Sequence, residues 1–345
     1  MRKTVYLLLF ALVATAFAGY SKGGDGKYVV MFYNLENLFD TLKSQGVLDG
    51  EYLPSAAKGW NSQKYWKKNN NMCEVVRRIA EENATFPTII GVSEIENRNV
   101  LEDIAANPKL AKANYRIVHY DSPDYRGVDV ALLYRPDQFK LLGSRAVPVD
   151  RPGYPNWKTR DVLMAWGTIE GETFCFMVNH WPSRRGGQEA SEHLRVLAAS
   201  VAKHAADSIM QAMPGIKVVI MGDLNDDPID KSVLTTLGAG GDAAATPATG
   251  LFNPFLPMFR RGYGTLAYDD QWNLFDNIIV SGEVANGPGL KLYKPSRNKY
   301  YGNIFDRPFL KQTEGQYKHY PLRTFIGDNF MNGYSDHFPV FIIIK

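Results

Sequence analysis

Sulfur is scarce in this chain, with two cysteines, Cys73 and Cys175, among 345 residues. Neither has a second sulfur close by, which excludes the paired-cysteine spacings of zinc and redox motifs. An oxidising compartment would permit a bridge between them. However, Cys73 falls in a helix-like stretch and Cys175 in a strand-like one, so two buried free thiols are expected. An excess of one charge is lacking too. The formal net charge is +3, a balance that argues neither for nor against a polyanionic partner. What is plentiful is core material: 45% hydrophobic and 12% aromatic residues, enough to exclude a disordered chain.

Long apolar runs are absent except at the start. Arg2 and Lys3 precede an apolar stretch, Val5 to Ala18, that ends in Ala16-Phe17-Ala18 before a polar segment. A basic start, an apolar core and small residues at the end form a secretory leader pattern. The stretch falls short of the ~20 apolar residues of a spanning helix. The expected organisation is a leader over residues 1–18, a polar segment over 19–27 and one domain over 28–345. Cleavage after Ala18 would deliver a secreted or periplasmic protein. No cysteine near that point suggests a lipid anchor, and no transmembrane segment is expected.

Periodicity then outlines an α/β domain. Apolar runs over Tyr28–Tyr33, Thr88–Val92, Val128–Tyr134, Phe174–Val178, Lys217–Met221, Ile278–Val280 and Phe338–Ile344 read as strands. Trp60–Glu82 and Ser191–Ala212 have helical spacing. Some strands are separated by helices and others follow directly, which points to layers with mixed sheets. Gly238–Thr249 reads as loop or weak helix, and Gly282–Asp328 as a long irregular insertion. Polar residues recur where apolar runs end: Asn34, Glu96, His180, Asp223 and Asn225, with Asp336-His337 just before the last run. Strand ends are where a sheet delivers functional side chains to one rim. If these residues share a site, Asn34 must meet His337 across nearly the whole chain, which favours one domain.

The residue types at that rim suit phosphate chemistry with a hard cation. Asn34-Leu35-Glu36-Asn37 and Ser93-Glu94-Ile95-Glu96-Asn97 offer oxygen ligands without thiols, as Mg²⁺, Mn²⁺ or Ca²⁺ prefer. Only one acid of the Glu94/Glu96 pair is expected to face a given site. In Met221-Gly222-Asp223-Leu224-Asn225, a strand aims a carboxylate and an amide, one able to take a proton from water. Asp226-Asp227-Pro228 reads as a turn. In Ser335-Asp336-His337 neighbouring side chains diverge, so a separate acid should orient His337, and Asp276 is the candidate. A histidine so held keeps one tautomer and can carry charge beside a phosphate. His180 opens a basic, Gly-rich loop, His180-Trp181-Pro182-Ser183-Arg184-Arg185-Gly186-Gly187. Its arginines suit phosphate oxygens and Trp181 suits base stacking, so Trp181, Ser183 and Arg184 are expected at the substrate. His119, His193, His204 and His319 lack such context and read as structural or surface.

Taken in order, Asn34/Glu36, Glu94-Ile95-Glu96-Asn97, Asn179-His180, Gly222-Asp223-Leu224-Asn225, Asp276 and Ser335-Asp336-His337 resemble the endonuclease/exonuclease/phosphatase superfamily. The resemblance runs from about residue 28 to the C-terminus and looks closest to secreted bacterial members. It implies a four-layer α/β/β/α sandwich with two mixed β-sheets, and Mg²⁺ or Mn²⁺ as cofactor, with Ca²⁺ as a structural or assisting ion. It implies Glu96 as the main metal ligand, with Asn34 and Asp336 near the metal or the phosphate. Asp223 would position or deprotonate the attacking water, and Asn225 would hold a phosphate oxygen. His337 with Asp276 would stabilise the phosphorane or assist proton transfer. His180 would serve the leaving oxygen, with Asp121 or Asp124 as its carboxylate partner, and Arg126 would touch phosphate.

The expected activity is metal-dependent phosphodiester hydrolysis, with DNA or RNA as first substrate and a monomer without a stable protein partner. Phospholipid head groups, small phosphodiesters and inositol phosphates are the alternative substrates. A non-catalytic binding protein on the same fold is the remaining reading.

Overall fold

The computed structural model describes residues 26–345; the expected leader and its cleavage point lie outside the described residues. Eight strands carry most of the frame: β1 (Tyr28–Leu38), β2 (Ile89–Ile95), β3 (Arg116–His119), β4 (Asp129–Tyr134), β5 (Lys140–Val147), β6 (Val162–Ile169), β7 (Glu172–His180) and β8 (Lys217–Asp223). Three helices cover them: α1 (Ser62–Asn83), α2 (Arg98–Ala106) and α3 (Gln188–Ala212). Two later strands matter for the site, Asp276–Ser281 and Val340–Ile344.

The strands form two large mixed sheets. One runs Leu292–Tyr293, Val340–Ile344, β1, β2, β4, β3, with Asn303–Ile304 also on Val340–Ile344. The other runs β5, β6, β7, β8, Asp276–Ser281, Leu251–Phe252, Ala239–Gly240. β1 and β2 pair in parallel, as do β7 and β8, while the last strand runs antiparallel to β1.

Side-chain alternation explains why both sheets are buried on both faces. In β1, Val30 and Phe32 enter the core between the sheets, while Val29, Met31 and Tyr33 pack beneath α1 and α2. In β8, Val219 and Met221 enter the same central core, and Val218 and Ile220 meet α3. The result is four layers, helix on sheet on sheet on helix. Each fully buried Val, Ile or Phe contributes roughly 1.5–3 kcal/mol relative to leaving it in water. The sheets approach closely at Gly91, where an added Cβ would fall 2.4 Å from Met221 Sδ.

Local signals set the main helix. Asn61 caps α1 by accepting the Lys64 N–H at 3.1 Å, and Ala84 ends it in the left-handed region at φ 57°. Met72, Val75, Val76 and Ile79 repeat at helical spacing on its buried face. Cys73 lies on that face and Cys175 in β7 under α3, so the two thiols sit in opposite outer layers, buried and free. Among the described residues no helix is long and apolar enough to cross a membrane.

Candidate active site

The register of the two sheets brings six strand ends to one rim. His180 ends β7, directly opposite Asp223 at the end of β8, and Asp223 is in turn paired with Asp276. From the other sheet, Asn34 of β1 lies beside Ser93 of β2. The segment 335–337 is tied to β1 by Ser335, whose hydroxyl donates to the Asn34 carbonyl at 2.8 Å and accepts the His337 N–H at 3.1 Å.

Asp223 is the centre of this group. Its Oδ2 accepts from Asn34 Nδ2 at 3.0 Å, and its Oδ1 accepts from the Asn225 N–H at 3.0 Å. The same Oδ2 lies 3.6 Å from His180 Nε2 and 3.9 Å from His337 Nε2. Those separations are too long for direct hydrogen bonds, so both imidazoles keep their Nε2 for a water or a substrate oxygen. Burial pushes the Asp223 carboxyl up to about 7, with Asp276 adding to the effect and His337 opposing it.

The two histidines are set in opposite states. Burial drives His180 well below its usual value, and the cations Arg160 and Arg126 push the same way, so it is neutral. Burial also opposes charge on His337, but Asp276 and Asp223 outweigh it and hold that imidazole well above its usual value. Asp276 Oδ2 lies 2.7 Å from His337 Nδ1, which fixes the tautomer and ring plane. His180 has no carboxylate on its Nδ1, which is buried without a partner.

Several expected site residues stand elsewhere. Glu96 turns away from the rim: it accepts from the Asp40 N–H at 2.7 Å and the Ser44 hydroxyl at 2.7 Å. Glu94 faces the cluster instead, with Oε1 3.7 Å from His180 Nε2 and 3.9 Å from Arg126. The cause is a bulge: Glu94 adopts φ 59°, and the β2–β4 register shifts between Ser93 and Ile95. Asp124 does not reach His180, because it pairs with Arg160 at 3.0 Å, and that arginine also binds the His180 and Trp181 carbonyls. Asp121 is exposed beside His119, 4.0 Å away.

Nor do the basic-loop residues line the cluster as expected. Trp181 is 2% exposed, its indole N–H held by Asn179 Oδ1, and it packs in the core under α3. Arg184 is spent on Asp226, Asp227 and Asp230, at 3.3, 3.3 and 2.7 Å, and on the Asn225 carbonyl at 3.0 Å. Asn225 Nδ2 donates to the Trp181 carbonyl at 3.0 Å, so Asn225 acts first as a brace for Asp223. Ser183 is exposed. Arg126 stays at the rim, donating to Asn37 Oδ1 at 2.6 Å.

Other residues at the site gave no local signal in the sequence. Arg323 donates to Glu36 at 3.1 Å and to Asp336 at 3.0 Å. Buried Lys68 lies 3.7 Å from Glu36, whose second oxygen accepts the Thr324 N–H at 2.7 Å. Burial raises the Glu36 carboxyl and lowers the Lys68 ammonium from their usual values. An arginine 287 residues from its partner glutamate cannot be found by spacing.

The donor types at the rim suit a hard divalent cation: the carboxylates of Glu94 and Asp336 and the Asn34 amide oxygen, which also accepts the Glu36 N–H at 2.8 Å, with no sulfur among them. A second group, His119, Asp121 and Asp129, brings ligand-type atoms within 4.8 Å of one another. There the His119–Asp129 contact of 2.9 Å already satisfies the buried pair. A larger cavity, about 690 Å³, opens at the opposite ends of β7 and β8, where Lys217 pairs with Glu172 at 3.0 Å. It gathers none of the rim's chemistry.

A carboxylate flanked by a neutral and a charged imidazole, at the meeting of two mixed sheets, agrees with the match of residues 29–345 to the model of the Endonuclease/Exonuclease/phosphatase family. The chain belongs to this family. No curated protein matches it. Among solved structures it is similar to D. rerio TDP2 complexed with single strand DNA product, at 14% identity and a TM-score of 0.54, over 93% of this chain and 100% of that one. It is similar to a Bacteroides thetaiotaomicron mannosyl-6-phosphatase at 16% identity and 0.53, over 92% and 99% of the two chains. It is similar to the human Nocturnin catalytic domain at 16% and 0.52, over 92% and 94%. At such identities the likeness is one of fold. Fish, human and bacterial proteins alike share it, which gives the expected likeness to secreted bacterial members no particular support.

Proposed function

We propose that this family member is a divalent-metal-dependent phosphodiesterase whose substrate is nucleic acid, and that Asp223 prepares the attacking water. The observation that carries the reading is the setting of Asp223: a buried carboxylate braced by Asn34 and Asn225, with a neutral and a charged imidazole on either side. Asp223 takes the proton from water during attack on phosphorus. The His337 cation, held by Asp276, faces the charge that builds on the phosphate oxygens. His180, neutral in the resting state, stands to steady the leaving oxygen. Glu94, with Asn34 and Asp336, would hold the cation, which when bound neutralises phosphate charge and stabilises the leaving group.

Nucleic acid is favoured over other esters because one fold relative is complexed with single-strand DNA product; Arg126, half-buried at the rim and donating to Asn37, is the cation placed to meet a phosphate of any such ester. Export belongs to the same reading and rests on the leader pattern; a mature N-terminus at Gly19 supports it, and one at Met1 ends it.

The test is nicking of circular plasmid DNA by the purified mature chain with Mg²⁺ or Mn²⁺, with EDTA and Asp223→Ala as controls. Nicking that needs both the metal and Asp223 supports the proposal. Release from bis(p-nitrophenyl) phosphate without nicking keeps the chemistry and removes nucleic acid. Mannose 6-phosphate hydrolysis in place of both would place the chain with the mannosyl-6-phosphatase in substrate as well as fold.

A further inference from the structure

Beside the catalytic rim lies a second concave surface, built from a short hairpin and part of the irregular insertion. The hairpin of Leu266–Tyr268 and Gln271–Asn273 forms one wall, and residues 312–327 form the other. Between them is a pocket of about 200 Å³. It is smaller than the ~300 Å³ at which pockets for drug-sized ligands begin, and it suits a single ring.

Its lining is aromatic where it meets solvent. Tyr268 is 71% exposed and Tyr317 42% exposed, and both line this one pocket, so their rings face its opening together. Tyr320 is held as a fixed wall, its hydroxyl donating to Asp270 at 2.7 Å and its ring packing edge-on to Trp272. Gln312 adds an amide.

The pocket also touches the chemistry. Asp336 and Arg323 line it, and Asp336 Oδ1 stands 4.0 Å from His337 Nε2. Whatever occupies the pocket is therefore a near neighbour of the scissile phosphate. Charge restricts the occupant. Asp269 and Asp336 are in the lining, and its one cation, Arg323, is already paired with Glu36 and Asp336. A phosphate would meet carboxylates here, whereas an uncharged flat ring would meet tyrosine faces.

Resting on the nucleic-acid reading above, we propose that this pocket seats one unstacked nucleobase flanking the scissile phosphate, with Tyr268 and Tyr317 against its faces. Stacking of this kind tolerates any base, so the pocket selects single-stranded or frayed substrate rather than a sequence. It also places one uncharged ring so that the adjoining phosphate falls at His337.

The experiment uses short single-stranded oligonucleotides with Mg²⁺, either with every base present or with one base removed at successive positions as an abasic residue. With the wild-type chain, kcat/KM is expected to fall about tenfold, the scale of one stacking contact, when the abasic residue falls at one position beside the cleaved bond. In Tyr317→Ala and Tyr268→Ala the intact strand should lose a similar factor, and the sensitivity to the abasic residue should disappear. Equal cleavage of intact and abasic strands by the wild type overturns the proposal and leaves the hydrolase reading standing. So does an equal loss on both strands in the variants, which would give the pocket to a sugar ring. No metal-dependent cleavage of any strand overturns both readings.

Discussion

Replacing Arg184 by alanine separates two accounts of the basic loop. By residue type, Arg184 is a phosphate contact; by position, it is the clasp of an acidic turn. Its guanidinium meets Asp226, Asp227 and Asp230, binds the Asn225 carbonyl, and lies over the Phe275 ring at 4.4 Å. Its side chain is 20% exposed, so little of it is open to a ligand. Removal leaves Asp227 and Asp230 facing each other without their shared cation, while Asp226 keeps Arg195. Breaking a fully buried pair costs about 3–5 kcal/mol, and a hydrogen bond to a charged group contributes about 1.5–3 kcal/mol. With partial exposure, a loss of about 2–3 kcal/mol is reasonable, equivalent to a fall of roughly 3–5 °C in Tm for a domain of this size. Because Asn225 braces Asp223, kcat should fall as well, with KM for a nucleic acid nearly unchanged. The assays are thermal unfolding by circular dichroism and kcat/KM at several salt concentrations. An unaltered Tm, with the slope of log kcat/KM against log salt smaller by about one, would mean that Arg184 touches phosphate and would refute the clasp.

Other outcomes follow from the same geometry. In Asp276→Asn, the charge that holds His337 protonated is gone, so its titration moves to lower pH and the alkaline limb of the pH–rate profile moves with it. Histidine proton NMR checks this, and an unmoved limb refutes it. The raised value of His337 also stabilises the fold at pH below its unfolded value of about 6.5, a contribution lost as pH rises through the folded value. Glu96 has the opposite chemistry and the same sign. Burial lifts it to about 7, so the folded state keeps a proton that the unfolded state releases near pH 4.3, and stability declines as pH rises between the two. Glu96→Gln should flatten that decline in urea titrations at pH 5 and 8; equal slopes in both proteins would refute it. Gly222→Ala places a Cβ 2.3 Å from the Asn179 carbonyl oxygen and should part β7 from β8 at the rim. Overpacking on this scale costs about 1–3 kcal/mol, and the activity loss should exceed the stability loss; a variant as active as the wild type would show that the rim tolerates the shift.

The layered frame was legible because buried strands and amphipathic helices leave strong periodic signals. The Lys217–Met221 run became β8, and the 60–82 spacing became α1. β5 was not legible: it is an edge strand with no buried residue, so its pattern is weak. The rim residues Asp223, His180, Asn34 and His337 were found by a positional rule, that polar groups border buried strands, the first three after a strand and His337 just before one. That rule failed at Glu94 and Glu96, where the outcome depends on one backbone angle that residue type does not announce. It failed differently at Trp181 and Arg184. A tryptophan and an arginine after a strand look like a ligand surface until the acids at 226, 227 and 230 are known to fold back over the loop. Arg323 and one wall of the tyrosine pocket come from the irregular insertion, and the other wall from the short hairpin at 266–273; the geometry of both is set by tertiary packing rather than by local periodicity.

The pairing of the last strand with the first has a consequence in time. Asn34 is made early and Ser335 is made 301 residues later, yet the hydroxyl of one clasps the carbonyl of the other. Until Val340–Ile344 has zipped along β1, His337 has no fixed place and Asp223 faces one imidazole instead of two. A growing or partly threaded chain therefore carries no working centre, and proteolytic trimming of the final strand would disarm the finished one without touching a reactive group. On the proposed reading, the cell that makes this hydrolase is shielded from it by the order of synthesis itself.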